Sequence, residues 1–141
     1  MISWRILAPL LTALGAFPIF AFVYIAPAPN EPLYIFGYLY VSIVIAFIAG
    51  IDWIIAIEEQ QGAFLIWSIV LSMLPLAIIA EFICFHYGSR ILWSQYLLLI
   101  WLSLFIDWRF FNKLGVSYYL KFRLTGTIVL SLAIALCLLN P

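Results

Sequence analysis

Charged residues are scarce in this sequence, and their scarcity excludes several large classes of protein. Of 141 residues, 9% are Asp, Glu, Lys or Arg and 68% are hydrophobic, whereas an ordinary soluble domain carries about 25% charged residues. Six basic residues are balanced by six acidic ones, so no basic surface is available for nucleic acid. The composition excludes a soluble globular domain, a disordered chain and a nucleic-acid-binding protein, and it predicts an integral membrane protein surrounded by lipids.

Residues suited to catalysis or metal binding are also scarce. His86 is the single histidine, so the chain cannot supply two histidine ligands to a haem or a histidine-rich metal site. No Gly-x-Ser-x-Gly, His-Glu-x-x-His or phosphate-binding loop occurs in the sequence. We therefore expect a non-enzymatic protein with no catalytic residues, no metal and no cofactor.

The two cysteines, Cys84 and Cys137, fall near the same predicted side of the membrane. A disulfide between them would be compatible with an oxidising compartment. Two free cysteines buried among apolar side chains are the alternative, which we favour because unpaired Cys behaves as a small buried hydrophobe.

Five long apolar runs predict five transmembrane helices in one all-α bundle. A helix rises about 1.5 Å per residue, so roughly 20 apolar residues cross the hydrocarbon core. Barrel strands would be shorter and would alternate in polarity, which these runs do not. The connecting segments are short and leave no room for a second domain. The predicted helices span about residues 6–25, 33–57, 63–85, 91–107 and 118–139.

The first run also has features of a secretory signal peptide, because Arg5 precedes it and Ala26 and Ala28 follow it. It is longer than the roughly 7–15 apolar residues of such a peptide. We therefore predict a membrane-spanning helix here.

The distribution of basic residues predicts how the bundle is oriented. Cytoplasmic segments of membrane proteins collect Lys and Arg. With the N-terminus inside and the C-terminus outside, Arg90 lies outside, and the inner side carries Arg5, Arg109, Lys113, Lys121 and Arg123. We therefore predict the N-in, C-out topology.

The triplet Ile-Asp-Trp occurs twice, ending at Trp53 and at Trp108. Pro18 and Pro75 each stand in the predicted helix before one of these triplets, and a proline inside a helix predicts a kink. One interpretation is a parallel repeat of two helical hairpins with a fifth helix added, as in some transporters. The other is a chance match within a restricted composition.

Acidic residues inside the apolar runs are the candidate functional groups. An intramembrane acid is costly and normally has a partner. Ion pairs that fix helix packing are one interpretation, and a path for an ion or a proton is the other. The inner candidate cluster comprises Asp52, Asp107, Arg109, Arg5, Lys121 and Arg123, and the outer one comprises Glu81, His86 and Arg90.

Small residues recur every four positions on two predicted helices. Such stripes let helix backbones approach closely, within the bundle or against a partner. The sequence leaves both alternatives open for the helix-packing residues Ser42, Ala46, Gly50, Thr127, Ser131 and Ala135.

Four short motifs, at residues 14–20, 47–53, 72–75 and 118–125, together resemble a known membrane family. They are similar to the family called domain of unknown function 3429, which is itself similar to the mitochondrial transmembrane protein 69. In that pattern His or Arg stands where this chain has Asp52. The resemblance implies a multi-helix bundle in a bacterial inner (cytoplasmic) membrane or a mitochondrial inner membrane, and it implies no particular activity.

We expect a non-enzymatic protein that packs against other membrane proteins or against itself, as an accessory subunit or assembly factor. The alternative is a small transporter or channel that uses Asp52 and Asp107. A lipid-active enzyme would instead need Asp, Glu and His side chains to converge on a cavity.

Overall fold

Four long helices make up most of the chain that the structure describes. A computed structural model describes residues 14, 15, 17–19, 21, 32–85, 89–114 and 117–139. Each of the four helices contains a stretch long and apolar enough to span a membrane. For the described residues, a helical fold with four candidate membrane spans is therefore confirmed. The helices are α1 (Pro32–Glu58), α2 (Gly62–Phe85), α3 (Ser89–Leu114) and α4 (Ser117–Leu139).

These helices correspond to the second to fifth predicted spans. Most of the first predicted span, residues 6–25, lies outside the described residues. Within its described part, Ile19 is buried and Phe17 is exposed. The Tyr40 hydroxyl of α1 donates a hydrogen bond to the Gly15 carbonyl, so this part of the chain lies against α1.

The turn between α1 and α2 agrees closely with the predicted loop. Proline begins α1 at Pro32, where a missing N–H does not break a helical bond. After Glu58 the backbone of Gln60 takes a φ of 53°, in the left-handed region. The Gln61 N–H then donates to the Ala56 carbonyl over 2.9 Å, and the chain reverses into α2.

The end of α3 differs from the prediction. We expected the helix to end at residue 107, but α3 continues to Leu114 and takes in most of the segment that we had predicted as a loop. No Gly or Pro interrupts this segment before Gly115. Phe111 is fully buried and packs on Phe64 and Tyr119, so tertiary contacts hold the two extra turns in place.

The helices pack as two hairpins. The two most extensive contacts are those of α1 with α2 and of α3 with α4; α2 also contacts α3, and a smaller contact joins α1 to α3. Aromatic side chains fill the core at both ends of the bundle. At one end Tyr38 packs against Trp93 with the rings tilted and their centroids 4.7 Å apart, and at the other Phe64 stacks on Phe110, also at 4.7 Å.

The outside of the bundle is apolar. In the most apolar stretch of each span, only 28% to 50% of the residues are buried inside the protein. Large hydrophobic side chains such as Phe47, Ile83 and Leu98 are exposed along the helices. In water such a surface would drive aggregation, so it suits contact with lipid tails or with other membrane helices.

Both cysteines are free thiols, as we favoured from the sequence, but the burial that we expected of both holds only for Cys137. Cys84 is exposed near the end of α2, and Cys137 is buried in α4.

The two prolines at which we predicted kinks differ in burial. Pro75 is buried inside α2, whereas Pro18 is half-buried.

Candidate intramembrane charge cluster

Three charged side chains from three helices meet inside the bundle. Arg123 of α4 approaches Asp107 of α3 with both Nε and Nη2, each 2.5 Å from Oδ2. The same Nη2 lies 3.9 Å from Oδ2 of Asp52 on α1. Both aspartates are 0% exposed and Arg123 is 8% exposed. The arginine therefore bridges α1, α3 and α4 through charge pairs whose two carboxylates are fully buried.

Helical spacing explains how each charge reaches the interior. On α1 the buried positions include Ile45, Ala49, Asp52 and Ala56, which recur every three or four residues. Residues at this spacing share one face of a helix. Asp107 and Arg123 lie on the corresponding buried stripes of their own helices. The other members of these stripes are Leu92, Tyr96, Leu99, Ser103 and Phe111 on α3, and Thr127, Leu130, Ile134 and Cys137 on α4.

Two polar residues that we did not predict complete the cluster. Ser103 accepts a hydrogen bond of 2.7 Å from Arg123 Nη2, and the Tyr119 hydroxyl donates one of 3.1 Å to Oδ1 of Asp52. Each lies four residues before a charged member, Ser103 before Asp107 and Tyr119 before Arg123. The i, i+4 spacing was therefore the sequence signal that pointed to them.

Each carboxylate has one oxygen that finds no hydrogen-bond partner among the described residues. These atoms are Oδ2 of Asp52 and Oδ1 of Asp107, and both are inaccessible. An unpaired carboxylate oxygen in a buried site is costly, because it gives up its hydration without replacement. The cluster as described also has two acidic members and one basic member, so its ionised side chains do not balance.

The other members of the two predicted clusters do not join this site. Arg109 and Lys121 are exposed, and Arg5 lies outside the described residues. On the outer side, Glu81 is half-buried and Arg90 is exposed, and these two do not form an ion pair with each other. His86 lies outside the described residues.

The two Ile-Asp-Trp triplets bring their aspartates to the same arginine, but their tryptophans differ. Asp52 and Asp107 are both fully buried beside Arg123. Trp53 is half-buried, whereas Trp108 is 55% exposed. The shared feature of the triplets is therefore the placement of the acid.

The small-residue stripes serve different contacts along their length. On α1, Ser42 is buried and forms a 2.5 Å hydrogen bond with the Tyr96 hydroxyl of α3. Ala46 is half-buried, and an added Cβ at Gly50 would meet no described atom within 4 Å. On α4, Thr127 is buried, and Ser131 and Ala135 are half-buried. Part of the α1 stripe therefore packs inside the protein, whereas no described atom occupies the space beside Gly50.

A crevice lies between α1 and α4, beside the charge cluster. It encloses about 450 Å³. Its walls are mostly apolar and include Ile43 and Phe47, which are 65% and 69% exposed, while Ser103, Tyr119 and Arg123 also line it. The crevice is thus open to the apolar surroundings along α1 and reaches polar atoms of the cluster.

The described residues contain no group of three or more His, Cys, Asp or Glu side chains arranged to hold a metal ion. Comparison with family models, with curated proteins and with solved structures found no match for this chain.

Proposed function

We propose that this chain is a non-enzymatic accessory or assembly subunit that packs against other membrane proteins. One observation supports the proposal above others: the buried charges are used internally. Arg123, Asp52 and Asp107 join three of the chain's own helices and are at most 8% exposed. The outer faces of the same helices are apolar, which suits helix packing within a membrane.

The face of α1 around Gly50 is where we propose that a partner helix binds. A helix can approach closely there, because Gly50 has no side chain and meets no described atom at the Cβ position. Phe47, one turn earlier, is exposed beside it and lines the crevice. We propose a bacterial inner membrane, or a mitochondrial inner membrane in a eukaryote, with five spans in the N-in, C-out topology. The resemblance of the four sequence motifs supports this location.

Affinity purification in a mild detergent tests the accessory role. We expect a membrane protein to co-purify with the tagged chain in a fixed ratio. Gly50→Leu fills the approach face and should release that partner while the chain itself still folds. Ala80→Leu is the matched control, because Ala80 is exposed on α2 and its enlargement should leave the partner bound. A chain that purifies alone as a monomer, from its native membrane, would contradict the proposal.

A small proton or cation transporter is the second candidate, and one observation favours it. The acids of the cluster outnumber its base, and the crevice reaches Arg123 and Ser103 from the apolar side. Intramembrane acids of this kind often lie on ion or proton paths. Proteoliposomes containing the pure protein would then show proton or cation flux that Asp107→Asn abolishes. Flux that is equal in protein-free vesicles would exclude this candidate.

A further inference from the structure

We propose that the charge cluster is a binding site for one proton, which Asp52 carries and donates as a hydrogen bond to Asp107. The proposal concerns the chemical state of the cluster, and it does not depend on the accessory role of the protein. It rests on three independent features of the site: its charge balance, its unpaired oxygens and the unequal distances from Arg123.

The charge balance of the described cluster favours one further positive charge. Among the described residues, two carboxylates and one guanidinium leave an excess negative charge, and the three residues are at most 8% exposed. Leaving such a charge uncompensated in a membrane interior is costly, so buried acids there normally have a compensating partner. A single bound proton makes the cluster neutral.

The two unpaired carboxylate oxygens also favour a single bound proton. One oxygen on each carboxylate lacks a partner among the described residues, Oδ2 of Asp52 and Oδ1 of Asp107. Both carboxylates lie beside the same guanidinium nitrogen, Nη2 of Arg123, which is 2.5 Å from Oδ2 of Asp107 and 3.9 Å from Oδ2 of Asp52. Two ionised carboxylates can only accept hydrogen bonds. If Oδ2 of Asp52 carries a proton, its O–H donates a hydrogen bond to Oδ1 of Asp107. Each of the two unpaired oxygens then has a partner.

The distances from Arg123 assign the proton to Asp52. Asp107 is the closer partner of Arg123, because Nε and Nη2 are each 2.5 Å from its Oδ2. Oδ2 of Asp52 lies 3.9 Å from Nη2. The carboxylate in the closer pair is the better stabilised anion. Oδ1 of Asp52 accepts the Tyr119 hydrogen bond, as the carbonyl oxygen of a carboxylic acid does, and this leaves Oδ2 to carry the proton.

The described groups around the pair come from three helices. Besides the aspartates themselves, they are Ser103 of α3 and Tyr119 and Arg123 of α4. Three carboxylate, thiol or imidazole ligands for a metal ion do not converge among the described residues. The guanidinium would also repel a cation, whereas a proton needs only the two oxygens already present.

Infrared spectroscopy of the purified protein at neutral pH tests the proposal. A protonated carboxyl gives a carbonyl stretch well separated from that of a carboxylate, and the band shifts in D₂O. We expect the wild-type spectrum to contain this band at an intensity of one carboxylic acid per chain, and Asp52→Asn to remove it. Glu81→Gln, which alters another acid within a span, is the matched control and should leave the band in place.

Stability measurements separate a proton from a metal ion. An Asn amide at position 52 can donate the hydrogen bond that the carboxylic acid donates, so Asp52→Asn should unfold at a temperature close to that of the wild type. Asp107→Asn removes the closer anion from Arg123 and should unfold at a clearly lower temperature. If Asp52→Asn does not fold, the band in the wild-type spectrum and its retention in Glu81→Gln still decide the question. A wild-type spectrum without the band, or wild-type stability that rises with sodium concentration at fixed ionic strength, would overturn the proposal.

Discussion

Arg123 is the residue on which the arrangement of three helices depends. It is the basic member of a buried cluster whose acids come from α1 and α3. Its guanidinium donates to Asp107 through Nε and to Ser103 through Nη2. Lysine could not reproduce this, because its ammonium is a single point charge that cannot make both contacts in a fixed plane.

Replacing Arg123 with methionine should strongly destabilise the protein. The change keeps an unbranched apolar stem but leaves Asp107 without its partner in a buried site. Breaking a buried pair in this way costs about 3–5 kcal/mol. Chemical unfolding in detergent measures the loss. Lys121→Met is the control, since Lys121 is exposed on the same helix and the change should alter the free energy of unfolding by about 0.5 kcal/mol at most. Equal effects of the two changes would contradict the bridging role.

The sequence groups the charges by their predicted side of the membrane, but membership of the cluster depends on the helix face as well. Arg109 lies two residues after Asp107, and Lys121 lies two before Arg123. Residues two apart point to nearly opposite sides of a helix, and both are exposed in the structure. Grouping charges by membrane side therefore included two that the helix turns outward, and it missed Ser103 and Tyr119, which share a face with the acid and the base.

The hydrogen bond between Ser42 and Tyr96 should stabilise the contact of α1 with α3. It is buried and 2.5 Å long. A double-mutant cycle with Ser42→Ala and Tyr96→Phe should give a coupling of about 0.6–1.7 kcal/mol, the range found for such bonds between membrane helices. Ser94→Ala serves as the control with Tyr96→Phe, because Ser94 bonds only the Arg90 carbonyl of its own helix. Additive effects in the first cycle would show that the bond does not couple the helices.

At the scale of the elements, a helix end was predictable where a local turn in the backbone ends the helix. It was less predictable where contacts with distant residues determine how far the helix extends. The α1–α2 turn contains a residue in the left-handed region and was predicted to within about a residue. The end of α3 was not, because Trp108 to Asn112 mix polar and aromatic residues that resemble a loop in sequence. Burial of Phe111 against α2 and α4 extends that helix, and this is a contact between distant parts of the chain.

Replacing Gly50 in α1 with alanine should not destabilise the protein, whereas replacing the neighbouring Ala49 with a larger residue should. An added Cβ at Gly50 meets no described atom within 4 Å. Gly50→Ala should therefore stabilise the helix by up to about 1 kcal/mol, the difference in helix propensity. Ala49 is fully buried, so Ala49→Leu should cost about 1–3 kcal/mol through overpacking. Unfolding curves in detergent compare the two. A loss of stability in Gly50→Ala would show that the face is already occupied.

At the scale of the whole molecule, the composition indicates an apolar environment for the protein but not which helices pack against each other. So few charges and such long apolar runs suit a membrane, and the four described helices are long and apolar enough to span one. The pairing of helices into two hairpins with a crevice between α1 and α4 depends on side chains far apart in the chain. Apolar spans with exposed residues on many sides carry little information about which neighbour each will contact.

The topology makes a prediction that can be read at two positions of the chain. Three described spans, α2, α3 and α4, lie between Gln60 and the C-terminus. An odd number of crossings must leave these two positions on opposite sides of the membrane. A reporter inserted at Gln60, in the exposed turn after α1, should be active in the cytoplasm, and one fused after the C-terminus should be active outside.

The two reporters fail in distinguishable ways. If both report the same side, one of the helices α2 to α4 does not cross the membrane, although its length and composition allow it. If they report opposite sides with the C-terminus in the cytoplasm, the three crossings stand and the predicted orientation is reversed. The positive-inside rule would then fail here for Arg109, Lys121 and Arg123, which lie nearer the Gln60 side of the bundle. A reporter joined to a chain carrying Arg109→Gln and Lys121→Gln measures how far those exposed charges set the orientation.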